Sequence, residues 1–580
     1  MSEAAPVPQS TLRAGPLFAG VVLLLIYIRV GTMLGYHAVY GPTGAFERGA
    51  ASPFTYVGNS ELRLWLAQLV LAVPAALLIA VGLAPRLAPA LRRLVARVDR
   101  ATPRQWGWAA GILFVSLFAV YAFGHAVILC GRPITDDENA VTFGARMIAE
   151  GHLRVPLLPP HAFTELFTYQ RDGMVSSMDF PGPLLFGAAG IATGLGHLLY
   201  ALASAASGVA VGYAAKRWLG PRGCVLATAL WIASPMILSL SVTSHGQVAS
   251  RMFVAVALAF ASRLDTDAGA PRRDAVLLGL AVGLGILCRP FEFAFMFAPL
   301  GAWLVYRAPR RAALFAIGLA GPIAAFAWYN AQITGLWYLQ ARFAPGTVGS
   351  GDSLSSTIPD RVGLNLGFNL LMLAVFFLGI PAIAAVAGAL DRKRPILIVL
   401  ACCVLGELAL CLMHDNTGVH MVGPIHLSES TVPLTLLAAA GLLRGFAWLA
   451  ARGMSQVRAG ILLAGYLVIA CGLFDLSNLA SLHDTTAAQG VPEERITALK
   501  IHHAIVMAPP YAMWAYEHEP TGTWMLQYPH PDPFYRDDLL FVVPDADRAM
   551  LRARFPDRAL FEVSYARREP TIIVGPAPSP

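Results

Sequence analysis

Apolar runs of about 18 or more residues recur along most of this chain, each long enough to cross about 30 Å of hydrocarbon as a helix. Charged residues make up 13% of it against 56% apolar, whereas an average soluble domain carries about 25% charge. The bilayer is therefore the main solvent, and a single buried soluble core is excluded. About eleven full spans are expected, at residues 15 to 36, 62 to 84, 106 to 130, 197 to 215, 223 to 241, 246 to 263, 312 to 333, 364 to 388, 395 to 413, 431 to 450 and 459 to 479. The first is too long for a signal peptide's apolar region and counts as a retained helix.

The net charge of +7 is carried mainly by short loops between apolar runs. Topology explains it better than a nucleic-acid partner, and none is expected. Arg86, Arg92, Arg93, Arg97, Arg100 and Arg104 place the connection 85 to 105 in the cytoplasm by the positive-inside rule. Counting alternately from it, Lys216-Arg217, Arg272-Arg273, Arg392-Lys393-Arg394 and Arg452 to Arg458 are cytoplasmic too, and all are basic. Three loops (131 to 181, 334 to 363 and 414 to 430) and the tail after residue 480 then lie outside. Nearly all the basic residues are arginine, with lysine only at 216, 393 and 500. That bias suggests a GC-rich bacterial genome, hence a plasma-membrane protein with a periplasmic outer face. The seven cysteines show no CxxC spacing and read as small core residues.

Ala275 to Tyr306 has basic residues at both ends but is short for two crossings. A re-entrant pair of half-helices is expected, broken at Arg289-Pro290, with Glu292 as the arginine's partner. Pro181 to His197 reads as a further interfacial or re-entrant helix. The last hundred residues carry short β-prone runs around a helical pattern at Asp545 to Arg554. They predict a small periplasmic α/β domain at 481 to 580, after a membrane domain at 1 to 480.

The strongest chemical signal is Asp136-Asp137-Glu138, followed by Asn139, just beyond a span. Adjacent like charges raise one another's pKa, and a capping turn needs only one acid. Val141, Ala145 and Ile148 recur at helical spacing, so the acids fall in a helix's first turn, where its dipole favours carboxylates.

These residues, with Phe143, Ala145 and Gly151 downstream, resemble the first outer loop of the GT-C class of membrane glycosyltransferases. The similarity is to the group of protein O-mannosyltransferases and lipid A aminoarabinose transferases. Further matches are Asp179-Phe180-Pro181-Gly182-Pro183, Ser244-His245-Gly246, Arg289-Pro290, Gly423-Pro424 through Glu429, and Arg554-Phe555-Pro556-Asp557-Arg558. The resemblance spans about residues 106 to 560, and the acidic motif is its most specific part.

It implies an all-α polytopic GT-C-like fold, with 131 to 181 as the first catalytic periplasmic loop. It also implies an inverting, single-displacement transfer from a polyprenyl-phosphate-linked sugar donor to a glycan, lipid or protein acceptor. The family's base is the Asp before Glu, here Asp137, with Asp136 the second choice, while Glu138 orients the loop or binds a metal. An acceptor hydroxyl needs such a carboxylate as it attacks the anomeric carbon. The departing phosphate needs a cation or metal, for which Arg146, Arg154, Arg171 and Arg342 are candidates. Many relatives carry a lysine before the proline of the loop-to-helix passage, where this chain has Met178-Asp179. An arginine must substitute, or the donor differs.

His245 lies at the outer boundary and, with Arg289 and Glu429, joins the substrate-binding candidates. His414, Asp415, His420, His426 and Glu429 crowd one outer loop. Such side chains can hold a divalent metal, with His414, His420 and His426 as candidate ligands, although the spacing matches no standard zinc motif. Otherwise no cofactor is expected. Two rival functions remain at this stage, a secondary transporter of an envelope precursor and a non-catalytic envelope-assembly protein.

Overall fold

The computed structural model describes residues 12–40, 65–156, 163, 167–348, 362–377, 379–412, 422–508, 532–565 and 572–576. Among them eight helices are long and apolar enough to cross a bilayer, or nine if the bent pair Asn365–Phe376 and Pro381–Ala389 counts as one span. The chain is thus a multi-pass membrane protein, and at three places the helices differ from the expected frame.

The runs at 197 to 215 and 223 to 241 become Leu198–Ile232, broken at Gly220 (φ 82°), and the short helix Pro235–Ser241. A side chain added at Gly208 would meet Trp231, and one added at Gly212 would meet Thr228. The chain therefore doubles back at Gly220, whose left-handed φ suits glycine, and Pro221 starts the return helix.

The expected single span 364 to 388 is instead two helices, Val362–Phe376 and Ile380–Ala389, bent by 116°. Gly379 takes φ 59° at the break, and Pro381 supplies no N–H there to continue the first helix.

The expected half-helices around Arg289 are Arg272–Cys288 and Pro290–Arg307, of 17 and 18 residues. At a rise of about 1.5 Å per residue each is about 26 Å long, close to a full crossing. The break falls at Arg289 as read, but it consumes one residue only, which is why so short a stretch holds two long helices. The first of them packs on Pro309–Thr334 through Gly279, Gly283 and Gly318, where an added side chain would strike the facing helix. Such small residues let backbones approach closely where burial gives helices no reason to associate.

The connections collect at two ends. At one, Arg222 pairs with Asp99 (2.6 Å) and donates to Gln456 (3.2 Å). This joins the basic turn after Lys216, the basic connection and the 452 to 458 loop. Arg217 donates to the Thr266 hydroxyl (2.9 Å), Arg263 pairs with Asp274 (3.0 Å) and Arg311 donates to the Leu264 carbonyl (2.9 Å), which brings the turns after Thr266 and Arg307 to the same end. The basic connection is helical, since Val73–Arg100 runs through Pro85 and Pro89.

At the other end lie the helix Asp136–Ala149 and an antiparallel sheet of β1 (Val155–Pro156), β2 (Thr168–Arg171), β3 (Met174–Ser177) and β4 (Thr347–Val348), in the order β1-β3-β2-β4. Asp172-Gly173, both at positive φ, form the two-residue turn between β2 and β3. Strand β4 comes from the loop after Thr334, so the two loops that precede Pro181 and follow Thr334 are stitched together.

A second sheet, ordered β6-β5-β7-β8, contains β5 (Ala504–Met507), β6 (Leu539–Val542), β7 (Ala559–Tyr565) and β8 (Ile572–Pro576). The helix Gly472–Ala498 leads into it, running past residue 480. Ile505, Met507, Leu540, Val542 and Leu551 share one core with Phe143 and Met147 of the acidic helix. The C-terminal unit therefore rests on the acidic helix.

Candidate functional site

Thr135, in extended backbone, caps the acidic helix, and its hydroxyl accepts from the Glu138 N–H (3.4 Å). The three acids thus occupy the first turn as read. They are not equivalent, for Asp136 and Glu138 are buried whereas Asp137 is half-buried.

Glu138 is fastened at both oxygens. One accepts from the Ile134 N–H and the other from the Ser244 N–H, each at 2.7 Å. The second oxygen also faces His245 Nδ1 at 3.5 Å, and His245 Nε2 lies 3.1 Å from the Thr135 hydroxyl. Burial alone would raise the Glu138 carboxyl, but His245 and the two amides outweigh it and hold it below the usual range. Burial would lower His245, yet Glu138, helped by Asp137, carries it above its ordinary value. Glu138 therefore ties the start of the acidic helix to the Ser244-His245 turn, and His245 faces it.

The second cluster is the passage into Pro181–Ala192. Asp179, buried at its start, accepts from Arg342 Nη2 (3.3 Å) and from the Ser177 hydroxyl (3.4 Å). Burial pushes its carboxyl up to about 6 against the pull of Arg342, and nearby Asp137 adds to the rise. The Arg342 guanidinium lies 5.7 Å from the Phe180 ring centre. Gln340 donates to the Met178 carbonyl (2.7 Å) and accepts from the Arg342 N–H (2.6 Å), which holds the arginine's backbone in place.

Of the four arginines considered for a phosphate, Arg342 alone is seen paired with an acid of this rim. Arg146 faces Asp537 (3.4 Å) and Asp532 (4.0 Å) of the C-terminal unit. Arg171 donates to the Thr334 carbonyl and pairs with Asp172, closing the end of a membrane helix. Arg154 is half-buried just before β1.

A third cluster surrounds the break at Arg289. Its guanidinium meets Glu292, as expected, together with His426 Nδ1 (2.9 Å) and Glu429 (3.6 Å). Glu429, fully buried, also accepts from Ser250 and Ser428. Glu407, equally buried, accepts from Ser430. Gly182 packs so tightly on this break that an added Cβ would lie 2.5 Å from the Cys288 nitrogen. Pro183 packs against Gly246, next to His245. The Pro181 helix thus connects all three clusters.

An arginine always donates, so His426 Nδ1 must accept from Arg289 and is not open to a metal. His414 and His420, with Asp415, lie outside the described residues. Among the described residues no group of three or more His, Cys, Asp or Glu is placed to hold a metal ion, so the residues seen here do not fit one. Asp179 and Glu407 escaped the sequence as site residues. An acid directly before Phe-Pro-Gly-Pro was the available signal for the first; Glu407 sits inside an apolar run with nothing beside it to mark a role.

No family model and no curated protein matches this sequence. Solved structures do. ArnT from Cupriavidus metallidurans in the apo state superposes with a TM-score of 0.53 at 15% identity, over 81% of this chain and 97% of that one. ArnT bound to undecaprenyl phosphate gives 0.49 at 17% identity, over the same shares of the two chains. The mycobacterial arabinofuranosyltransferase AftD gives 0.46 at 17% identity, over 80% of this chain and 35% of that one. On the apo ArnT superposition, the path of this chain through its apolar helices is the GT-C fold of membrane glycosyltransferases.

Proposed function

We propose that this chain is an integral membrane glycosyltransferase that moves a sugar from a polyprenyl-phosphate-linked donor to a cell-envelope acceptor at the outer, periplasmic face of a bacterial plasma membrane. The observation that carries this is the uneven first turn of the acidic helix. Glu138 is locked by two backbone amides, Asp136 is buried, and Asp137 is the acid left partly open to solvent. A fixed helix therefore presents one carboxylate at the surface of a GT-C fold.

Asp137 is the general base. It takes the proton of the acceptor hydroxyl as that oxygen bonds to the anomeric carbon and the bond from carbon to the phosphate oxygen breaks on the opposite face. One displacement of this kind inverts the anomeric centre. The departing phosphate keeps the electron pair and needs a fixed cation. Arg342, presented beside Phe180 and the start of the Pro181 helix, supplies it in place of the lysine that many members of the class have there. ArnT, the neighbour in fold, has been solved with undecaprenyl phosphate, a ligand of the chemistry proposed here.

The test is transfer from labelled polyprenyl-phosphate sugars by the purified protein, compared with Asp137→Asn and Asp136→Asn. Loss of about 10²- to 10⁴-fold in the Asp137 variant is expected, with a smaller loss in the other. Undiminished transfer in both would reject the base.

A further inference from the structure

The contact between Asp179 and Arg342 is a charge pair in a place that, on the lipid-donor reading, must admit a phosphate. Its separation of 3.3 Å is longer than the roughly 2.7 to 2.9 Å of a tight charge-assisted bond. The arginine's backbone is fixed independently through Gln340, so its guanidinium is able to change partner without unfolding the loop.

Among the described residues, three elements pack ionisable groups toward Asp179. They are Arg342 from the second outer loop, Asp137 from the acidic helix, and Tyr329 from Pro309–Thr334; Ser177 adds a hydroxyl from its own strand. Of these only Arg342 is a cation. A buried carboxylate that lost it would keep one hydroxyl donor and a like-charged neighbour, an arrangement that burial penalises heavily.

We infer that Asp179 is part of the donor-phosphate site. It holds Arg342 while the site is empty, and it becomes protonated when the phosphodiester takes that guanidinium over. The proposal rests on the lipid-donor reading of the preceding section. With Arg342 beside it the Asp179 carboxyl already lies at about 6, so withdrawal of the arginine, whose charge lowers it, moves it further upward.

The sign follows from linkage. Binding that takes up a proton weakens as pH rises, by up to about tenfold per unit for one proton. The dependence is confined to pH values above about 6, because below that the carboxyl is largely protonated before the ligand arrives.

The probe is a short-chain polyprenyl phosphate methyl diester, whose one acidic group stays ionised throughout, so the ligand itself does not titrate. Affinity is measured between pH 6 and 8 on the full-length protein. Calorimetry at pH 7 in two buffers of different ionisation enthalpy counts the protons taken up. The expected result is a progressive loss of wild-type affinity with pH, a fractional to whole proton gained, and a flat, tighter profile for Asp179→Asn above pH 7. Wild-type binding with no pH dependence and no proton uptake would overturn the inference while leaving the lipid donor standing. So would an Asp179→Asn protein that titrates as wild type does. Failure of the wild type to bind the diester at any pH would overturn both.

Discussion

Glu138 and His245 face each other at 3.5 Å, both with about 1% of their side chains exposed, and they tie the acidic helix to the turn that begins a membrane helix. Removing one partner of a buried charged pair costs roughly 3 to 5 kcal/mol. His245→Gln should therefore lower the melting temperature in detergent, and it should also reduce transfer, because Asp137 rides on the helix so anchored. The pH dependence has a definite sign. Glu138 lies below its ordinary value of 4.5, so its contribution is present above that pH and is lost as pH falls through the lower folded value. His245 lies above its ordinary 6.5, so its contribution is complete below that pH and is lost as pH rises through the higher folded value. The gap in melting temperature between wild type and His245→Gln should be widest between 4.5 and 6.5 and narrow on either side.

Gly182 couples the Asp179 passage to the Arg289 break. A Cβ there would lie 2.5 Å from the Cys288 nitrogen and 2.6 Å from its sulfur, and backbone cannot give way cheaply. Gly182→Ala should destabilise by about 1 to 3 kcal/mol through overpacking and lower turnover, whereas alanine at Gly107, where an added Cβ meets nothing, should do neither. Paired melting curves and transfer rates check this.

The C-terminal sheet should matter to the membrane-proximal site. Leu540 is fully buried in the core shared with Phe143 and Met147. Leu540→Ala should cost about 2 to 5 kcal/mol and slow transfer although residue 540 lies far along the chain from the acids. A stability loss with unchanged turnover in the surviving folded protein would mean that the sheet does not position the acidic helix.

What was legible in the sequence was local. The acidic first turn follows from three acids and a threonine cap, and the break at Arg289 follows from a proline after a charge inside an apolar run. The turn Asp172-Gly173 is local too, an Asp-Gly pair joining β2 to β3. The reversal at Gly220 and the bend at Gly379 depend on single glycines with positive φ, which apolarity does not register. Asp179 and Arg342 stand 163 positions apart, and their loops are brought together by long-range contacts, among them the pairing of β2 with β4 and the bond from Gln340. Strand β7 carries a local signal as well, for Phe561, Val563 and Tyr565 alternate with Glu562 and Ser564.

The sidedness of residue 137 is the most direct check on the proposed base, which must meet a lipid-borne leaving group on the periplasmic side. In a chain with its seven cysteines replaced, Asp137→Cys and Asp99→Cys are each exposed to a membrane-impermeant maleimide in intact cells and again after permeabilisation. Labelling of residue 137 in intact cells, with residue 99 reached only after permeabilisation, is the predicted result. The reverse pattern would put the acids in the cytosol and contradict the account.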